Sequence, residues 1–532
     1  MNCGKIDNTI LWYAGYKYSI PYRWTDGKLS PEKGKLLILM RRGSHKEKKM
    51  PYKDMREFLK LLEKEGELAR IREEVSPILE ITEITDRVCK MPGGGKALLF
   101  ERVKGYSTPV LTNLLGSERR IKLALGYENL EDIGWKLYKL LRPEIPHTFL
   151  DKLKRLPELK KLNDSLPRIV KDGSVRENIK RERIDILEFP VLQCWPKDGG
   201  RYITFGQTIT KDPESGIRNV GLYRIQVLSP TELALHWQIH KDGNHHYWKA
   251  KRLGKRLEVA IAIGGDPVLS YVASAPLPPE VDEYLFAGLI REEGVELIKG
   301  ITVDLEYPAH AEIVIEGYVD PSEPLVDEGP FGDHTGFYTP VDKYPKMHIT
   351  AILHRNNPIY LATIVGKPPQ EDKYIGWATE RIFLPLIKFN LPEVVDYHLP
   401  AEGCFHNFCF VSIKKRYPGH AFKTAYALLG LGLMSLTKHI VVFDEDIDVH
   451  DFGQVLWAWG NNVDPSRDVL ILKGPIDVLD HSTNQVGFGG KMVIDATTKW
   501  KEEGYTREWP EVIEMSQEVK RRIDSLWHKL GL

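Results

Sequence analysis

Cysteine is scarce in this 532-residue chain. Cys3, Cys89, Cys194, Cys404 and Cys409 are odd in number and scattered, with no C-x-x-C pair, which excludes a disulfide-stapled scaffold and a cysteine-based zinc module. They read as reduced thiols of a cytoplasmic protein. Net charge is also missing: Lys plus Arg and Asp plus Glu each total 74, so no overall field draws the chain to nucleic acid or an anionic membrane. Long apolar runs are absent. The best candidates, Leu36 to Met40 and the broken stretch Ala425 to Leu436, fall short of the roughly 20 residues a membrane span needs. Internal repeats at solenoid periods and low-complexity tracts are lacking as well.

What is present is a globular composition. With 42% hydrophobic residues the chain can build two or three cores of ordinary domain size. Residues 1–49 hold one five-residue apolar run between basic stretches, too short for a signal-peptide core. They form an extension, either disordered or not native, and the true start could lie at Met50. From Tyr52 to Leu68, Met55, Phe58, Leu59, Leu61 and Leu62 share one helical stripe, and Ala97 to Phe100 reads as a buried strand. Residues 50–142 are therefore an N-terminal α/β domain, and 143–202, rich at first in Lys, Arg, Pro and Leu, a connector. Residues 203–360 carry short β-branched runs punctuated by Gly, Pro and Asp, the grammar of a mainly antiparallel barrel or sandwich. After Phe408 the pattern becomes strand Phe408 to Ile413, helix Gly419 to Leu436, strand Ile440 to Phe443, helix Phe452 to Trp459 and strand Asp468 to Leu472. Such βαβαβ order implies a parallel sheet in a C-terminal α/β domain, 361–509. A last helix, 510–532, bears Val512, Ile513, Met515, Val519, Ile523, Trp527 and Leu530 near helical spacing and wants a partner surface.

One hairpin is informative about chemistry. Asn219 to Leu228 and Glu232 to His240 flank the turn Ser229-Pro230-Thr231, and Leu233, Leu235, Trp237 and Ile239 alternate with polar partners. If the hairpin closes around its turn, facing residues have numbers summing to about 460, so Asn219 lies opposite His240 or Lys241. Asn plus His with a carboxylate suits Mn²⁺ or Mg²⁺; two polar residues at a sheet rim give the same spacing. Arg224 sits among apolar neighbours and needs an anion, whether a ligand or a structural partner.

The run Glu328-Gly-Pro-Phe-Gly-Asp333-His334-Thr-Gly336 places two carboxylates five residues apart on a Gly-rich loop. Differently tuned carboxylates serve general acid chemistry, and a solvated turn has the same composition. Gly93-Gly94-Gly95-Lys96 lacks the frame of a P-loop, and Gly487-Phe-Gly-Gly-Lys491 lacks dinucleotide spacing and follows no clear strand. His245 and His246 read as loop residues.

Five blocks in order, Asn219-Val-Gly-Leu-Tyr-Arg224, His236-Trp-Gln-Ile-His240, Asp282-Glu-Tyr-Leu-Phe-Ala-Gly288, Glu328 to Gly336 and Lys414-Lys-Arg-Tyr-Pro-Gly-His-Ala421, resemble the UbiD-like family of prenylated-FMN-dependent decarboxylases, of the 3-octaprenyl-4-hydroxybenzoate carboxy-lyase type. The likeness runs from about Met50 to Trp509. It implies that Asn219, His240 and Glu283 hold a divalent metal, Mn²⁺ or Mg²⁺, with K⁺ as a further ion, and that the metal binds the phosphate of prenylated FMN. It places Leu222, Tyr223, Arg224, His236, Trp237, Gln238, Lys241 and Asp242 around the flavin; Lys241-Asp242 departs from the Arg-Gly of the ubiquinone-pathway branch. In that scheme Arg224 steers the substrate carboxylate, and Asp333, paired with Glu328, delivers the proton that replaces CO₂. Burial is expected to raise the Asp333 pKa while Arg224 pulls it down, with desolvation prevailing in the closed, liganded state.

The same resemblance implies a flavin-binding split β-barrel between the α/β domains and an aromatic or conjugated carboxylic acid as substrate, with a quinone-pathway acid the leading guess. It further implies a flavin prenyltransferase as cofactor supplier and a homodimer or dimer-based hexamer. A flavin carrier without catalysis, a metal-dependent hydrolase at Asp333 and His334, and an enzyme of aromatic catabolism are the rival readings.

Overall fold

The computed structural model describes residues 52–141, 160–278 and 281–531, together with the backbone of three strands between residues 8 and 31. Residues Met1–Lys49 form a unit of their own. In it Asn8–Tyr13, Tyr16–Thr25 and Lys28–Pro31 make an antiparallel meander, with Asn8 opposite Pro21 and Tyr22 opposite Pro31. Strand pairing was not expected in this extension.

The second unit, Met50–Leu532, begins with α1 (Met55–Lys64). Asp54 caps it by accepting from Glu57 N at 3.0 Å, and the five stripe residues Met55, Phe58, Leu59, Leu61 and Leu62 are all buried. They cover a sheet of β1 (Leu68–Val75), β2 (Ala97–Val103) and β3 (Val110–Thr112), in which β1 runs parallel and β3 antiparallel to β2. Two ion pairs tie this layer to the middle of the chain. Arg355 donates to Asp54 at 2.7 Å, and Arg56 grips the fully buried Glu312 through Nε at 2.9 Å and Nη2 at 2.8 Å.

The middle is a closed barrel of six strands: β4 (Tyr202–Lys211), β5 (Arg218–Ser229), β6 (Glu232–Leu235), β7 (Leu257–Ile263), β8 (Ile313–Val319) and β9 (Lys346–His354). The order is β6-β5-β4-β7-β8-β9, every pair is antiparallel, and β6 pairs with β9 to close the ring. Closure removes the exposed edges an open sheet would leave. Short strands also reach back into the expected connector: Asn178–Lys180 adds to the outside of β9, and Arg168–Ile169 pairs with Glu296–Lys299. Tyr360–Leu361, after the barrel, returns to pair in parallel with β3.

The predicted hairpin forms over part of its length. Ile225 faces Leu235, Gln226 faces Ala234 and Val227 faces Leu233, each pair summing to 460. Beyond Leu235 the chain leaves the ladder, so Asn219 pairs across with Thr210 of β4 rather than with His240 or Lys241. The alternation through 236–240 does not make a strand: Trp237 is buried, but Ile239 is 59% exposed. The cause is the helix that follows, α2 (Asp242–Leu253), whose start pulls the preceding residues into a turn. His245 and His246 lie on this helix and not in a loop, and His246 Nδ1 meets Thr210 Oγ1 at 2.9 Å.

Next come α3 (Glu283–Arg291) and the long α4 (Asp372–Asn390), which leads into the C-terminal domain. Its sheet contains β10 (Val394–His398), β11 (Phe408–Ile413), β12 (His439–Asp444), β13 (Val469–Pro475) and β14 (Phe488–Asp495), with α5 (His420–Leu429) and α6 (Phe452–Asn462) as crossovers. The order is β10-β11-β12-β14-β13. The parallel core β11-β12 agrees with the βαβ pattern, but β13 lies antiparallel at the edge. The parallel neighbour on the other side of β12 is β14, a strand absent from the βαβαβ pattern because Gly489 and Gly490 near its start are poor strand formers. The final helix is shorter than its apolar spacing suggests, Gln517–Trp527, and none of its residues is buried. Among the described residues no helix is long and apolar enough to cross a membrane.

Candidate active site

Arg224 lies on β5 with only 7% of its side chain exposed. A guanidinium in that setting requires anions, and two are in place. Nε and Nη2 donate to the two oxygens of Glu328, each at 2.9 Å, and Nη1 donates to Asp333 Oδ2. Phe331 lies beneath the guanidinium, its ring centre 5.0 Å away. Glu328 is completely buried and accepts a further bond from His236 Nδ1 at 3.0 Å. Burial and the Arg224 charge hold His236 below its usual pKa, so a neutral ring donates to Glu328.

The loop carrying the acids is pinned on several sides. Gln226, two residues beyond Arg224 on β5, accepts from Gly329 N at 2.8 Å, and Asp198 accepts from Gly332 N at the same distance. Tyr202 of β4 donates to Pro330 O at 3.2 Å. Gly332 is required by contact, because a Cβ there would stand 2.3 Å from the Trp195 ring. Gly336 closes the turn at φ +80°, donating to Asp333 O at 2.9 Å.

Burial acts to raise the Asp333 carboxyl, and a net rise is expected of the closed, liganded state; in the arrangement seen here burial is outweighed. The bond from His334 and the charge of Arg224 outweigh desolvation and keep it well below the carboxylate range. His334 Nδ1 and backbone N both reach Asp333 Oδ1, at 2.9 and 2.7 Å. Despite burial, that carboxylate lifts the imidazole to about 9, so His334 carries a proton at neutral pH. Asp372, at the start of α4, adds its field to His334 and is itself pushed up to about 6 by burial. His334 entered the sequence analysis only through the rival hydrolase reading, and Gln226, Tyr202 and Asp198 were not singled out there. Among the last three, Gln226 had a signal, its i, i+2 position sharing the face of Arg224.

The expected cation ligands meet in part. Glu283, first residue of α3, is buried and accepts from Val220 N at 2.7 Å, which sets it beside Asn219. Desolvation, with the nearby acids Asp282 and Asp242, pushes its carboxyl up to about 8. The amide nitrogen of Asn219 is buried without a hydrogen-bond partner, as are Trp237 Nε1 and His236 Nε2. His240 is exposed in the turn before α2 and makes no hydrogen bond or ion pair among the described residues. Around these, Tyr223 OH accepts from Gly243 N at 3.4 Å, and Tyr223 stands edge-on to Trp237. Leu222 donates its N–H to Ala273 O at 2.9 Å, and Gln238 is half-buried. Burial lowers the Lys241 ammonium against the pull of Asp477, a C-terminal-domain residue, and of Asp242. A buried uncompensated carboxyl and three unpaired polar groups fit a cation with a phosphate-bearing ligand.

A closed barrel between two α/β layers, with an arginine clamped by two acids on its wall, defines a class. The chain matches the models of the 3-octaprenyl-4-hydroxybenzoate carboxy-lyase N-terminal domain over residues 59–137, Rift-related domain over 168–368 and C-terminal domain over 373–496. It belongs to this UbiD family of carboxy-lyases. An uncharacterised protein of Aquifex aeolicus (strain VF5) is 80% identical over 481 residues, 90% of this chain and 99% of that protein. Vanillic acid decarboxylase of Sedimentibacter hydroxybenzoicus in its closed form superposes with a TM-score of 0.79 at 31% identity, over 90% of this chain and 99% of that one. An evolved dimeric form of the UbiD-class enzyme HmfF from Pelotomaculum thermopropionicum, in complex with prFMN, superposes with a TM-score of 0.72 at 32% identity, over 88% and 98%.

Proposed function

We propose that this chain is a non-oxidative, reversible decarboxylase of an aromatic or α,β-unsaturated carboxylic acid that works with prenylated FMN and a divalent cation, Mn²⁺ or Mg²⁺. The observation that carries the reading is the buried Arg224 held between Glu328 and Asp333. Asn219, Glu283 and His240 would hold the cation, with Leu222, Tyr223, His236, Trp237, Gln238, Lys241 and Asp242 around the flavin. His240 is the ligand that must move most. When bound, the cofactor supplies the electron sink that makes loss of CO₂ feasible.

The chain's own residues account for the rest. Glu328 takes two of the three Arg224 contacts, so an incoming substrate carboxylate meets the guanidinium through Nη1, where Asp333 now sits. Displacement separates Asp333 from its cation and lets its pKa climb toward the range in which it can carry a proton. His334, already protonated and 2.9 Å from Asp333 Oδ1, is the group that refills it. Reversal of the same moves serves carboxylation at high CO₂.

Protein made with and without a flavin prenyltransferase tests the reading. CO₂ release from aromatic acids only when the prenyltransferase is present supports it; flavin binding without turnover favours a carrier, and turnover without flavin favours a hydrolase. The similarity to vanillic acid decarboxylase favours a free hydroxybenzoic acid among substrates, and a quinone-pathway acid is the other one to include. Cys89, Cys194, Cys404 and Cys409 are all free, which supports a cytoplasmic setting. The exposed Val519, Ile523 and Trp527 on the last helix support a homo-oligomer, to be checked by sedimentation of a variant with all three made polar.

A further inference from the structure

Away from the barrel, the C-terminal domain brings together a second group of ligating side chains. Glu380 of α4, His398 at the end of β10 and His450 in the loop before α6 each offer an atom within 4.8 Å of the others. His398 Nδ1 stands 2.8 Å from Glu380 Oε2 and His450 Nδ1 stands 3.8 Å from Glu380 Oε1, with the two imidazole centres 4.5 Å apart. Donors around a tetrahedral ion at ~2.1 Å are about 3.4 Å apart, so small side-chain rotations suffice. Three elements separated in sequence converge here.

The surroundings suit a cation. Glu380 is 1% exposed, and its Oε1 accepts no hydrogen bond, although Arg381 Nη2 lies 3.1 Å away. Asp396 stands 3.3 Å from Nε2 of His450, the nitrogen turned away from Glu380; no hydrogen bond is formed between them here, and a small rotation of the ring would give the carboxylate contact that orients a ligating histidine. Three carboxylates, Glu380, Asp396 and Glu131, surround the guanidinium of Arg381, and the Lys388 ammonium shares the field of Glu131 and Asp396. The histidines are partly exposed, 19% and 31%, giving an ion a way in and a water the fourth position.

The geometry points to a zinc-type divalent metal site formed by Glu380, His398 and His450, with Asp396 positioning His450. The two nitrogens select a borderline metal such as Zn²⁺, unlike the oxygen-rich surroundings of Asn219 and Glu283. The site clips three elements of the C-terminal domain together. Glu380 lies eight residues, or about 12 Å, along α4 from Asp372, whose charge acts on His334, so the ion also braces the helix that faces the acid loop.

The test uses the full chain, stripped with a chelator and dialysed against trace Zn²⁺, with bound metal measured by plasma mass spectrometry. Wild type and Glu283→Gln should each retain one zinc per chain by this site. The double variant His398→Ala/His450→Ala should lose it, with affinity down at least about 100-fold, and Asp396→Asn should weaken it by about 10–100-fold. Zinc should raise the melting temperature of wild type and not of the double variant. No retention by wild type, or equal retention by the double variant, overturns the site and leaves a network of ion pairs. Should the double variant fail to fold, zinc-edge absorption of the loaded wild type decides: two imidazoles and one carboxylate support the site, and an all-oxygen shell overturns it. Retention by Glu283→Gln keeps this result separate from cation binding in the barrel.

Discussion

Arg224 and Glu328, 104 residues apart in sequence, meet in a two-point ion pair with both N···O distances 2.9 Å and neither side chain more than 7% exposed. So complete a pair leaves the third face of the guanidinium to a replaceable partner. The buried cluster is therefore a structural element and a chemical one at once.

Breaking that pair should be costly. Glu328→Leu leaves a buried guanidinium short of an anion, and about 3–5 kcal/mol of stability should be lost, while Arg224→Met strands the acids in the same way. The double variant Arg224→Met/Glu328→Leu should lose less than the two single changes combined, because no charge is stranded. Urea denaturation of the four proteins measures the coupling, and strict additivity would count against the pair.

Asp333→Asn should lower the decarboxylation rate by about 10²–10⁴-fold, the usual worth of a positioned acid, while flavin retention stays within a few-fold of wild type. Asp333→Glu keeps a carboxyl but moves it, so its pH–rate profile should differ from wild type. Superimposable profiles would remove Asp333 from the proton path.

His334 gains its proton affinity from the fold, reaching about 9 against an ordinary 6.5. A folded pKa raised above the unfolded one contributes stability that is full below about pH 6.5 and disappears as pH climbs through 9. Wild type should thus exceed His334→Gln by at most about 3 kcal/mol on the acid side, with the gap closing toward pH 9. Chemical denaturation at a series of pH values reads this directly; a gap that widens with pH has the wrong sign.

Gly332→Ala should act on the loop more than on the core. A Cβ 2.3 Å from Trp195 forces the Phe331–Asp333 segment outward, at a cost of about 1–3 kcal/mol, and should separate Asp333 from Arg224. Turnover should fall well beyond what the modest drop in melting temperature explains. Unchanged turnover would mean that the loop tolerates the shift.

Removal of the divalent cation should release the flavin. Dialysis against chelator should abolish CO₂ release, with Mn²⁺ plus cofactor restoring it in wild type and failing to do so in Glu283→Gln. Restoration in the variant would take Glu283 out of the cation site.

Much of the local structure was legible because it depends on short-range periodicity. All five apolar stripe residues of α1 are buried, and the hairpin keeps the expected register from Ile225 to Val227, shifting by one at Ser229 beside the turn. Failures fall where a local pattern had two meanings. Trp237 and Ile239 continue the alternation of β6, yet the chain has already turned toward α2; Gly489 and Gly490, weighed only as a dinucleotide motif, lie inside β14.

By itself, then, the sequence determined the α1 helix, the hairpin register and the order of blocks that marks the carboxy-lyase family, since each is written in residues close together along the chain. Only the tertiary structure decided that Asp333 is an ionised partner of Arg224, 109 residues away, and that Glu380, His398 and His450 share one small volume. A carboxyl's charge state depends on the solvent it loses and the cations it meets, and both are fixed by packing rather than by neighbours in sequence.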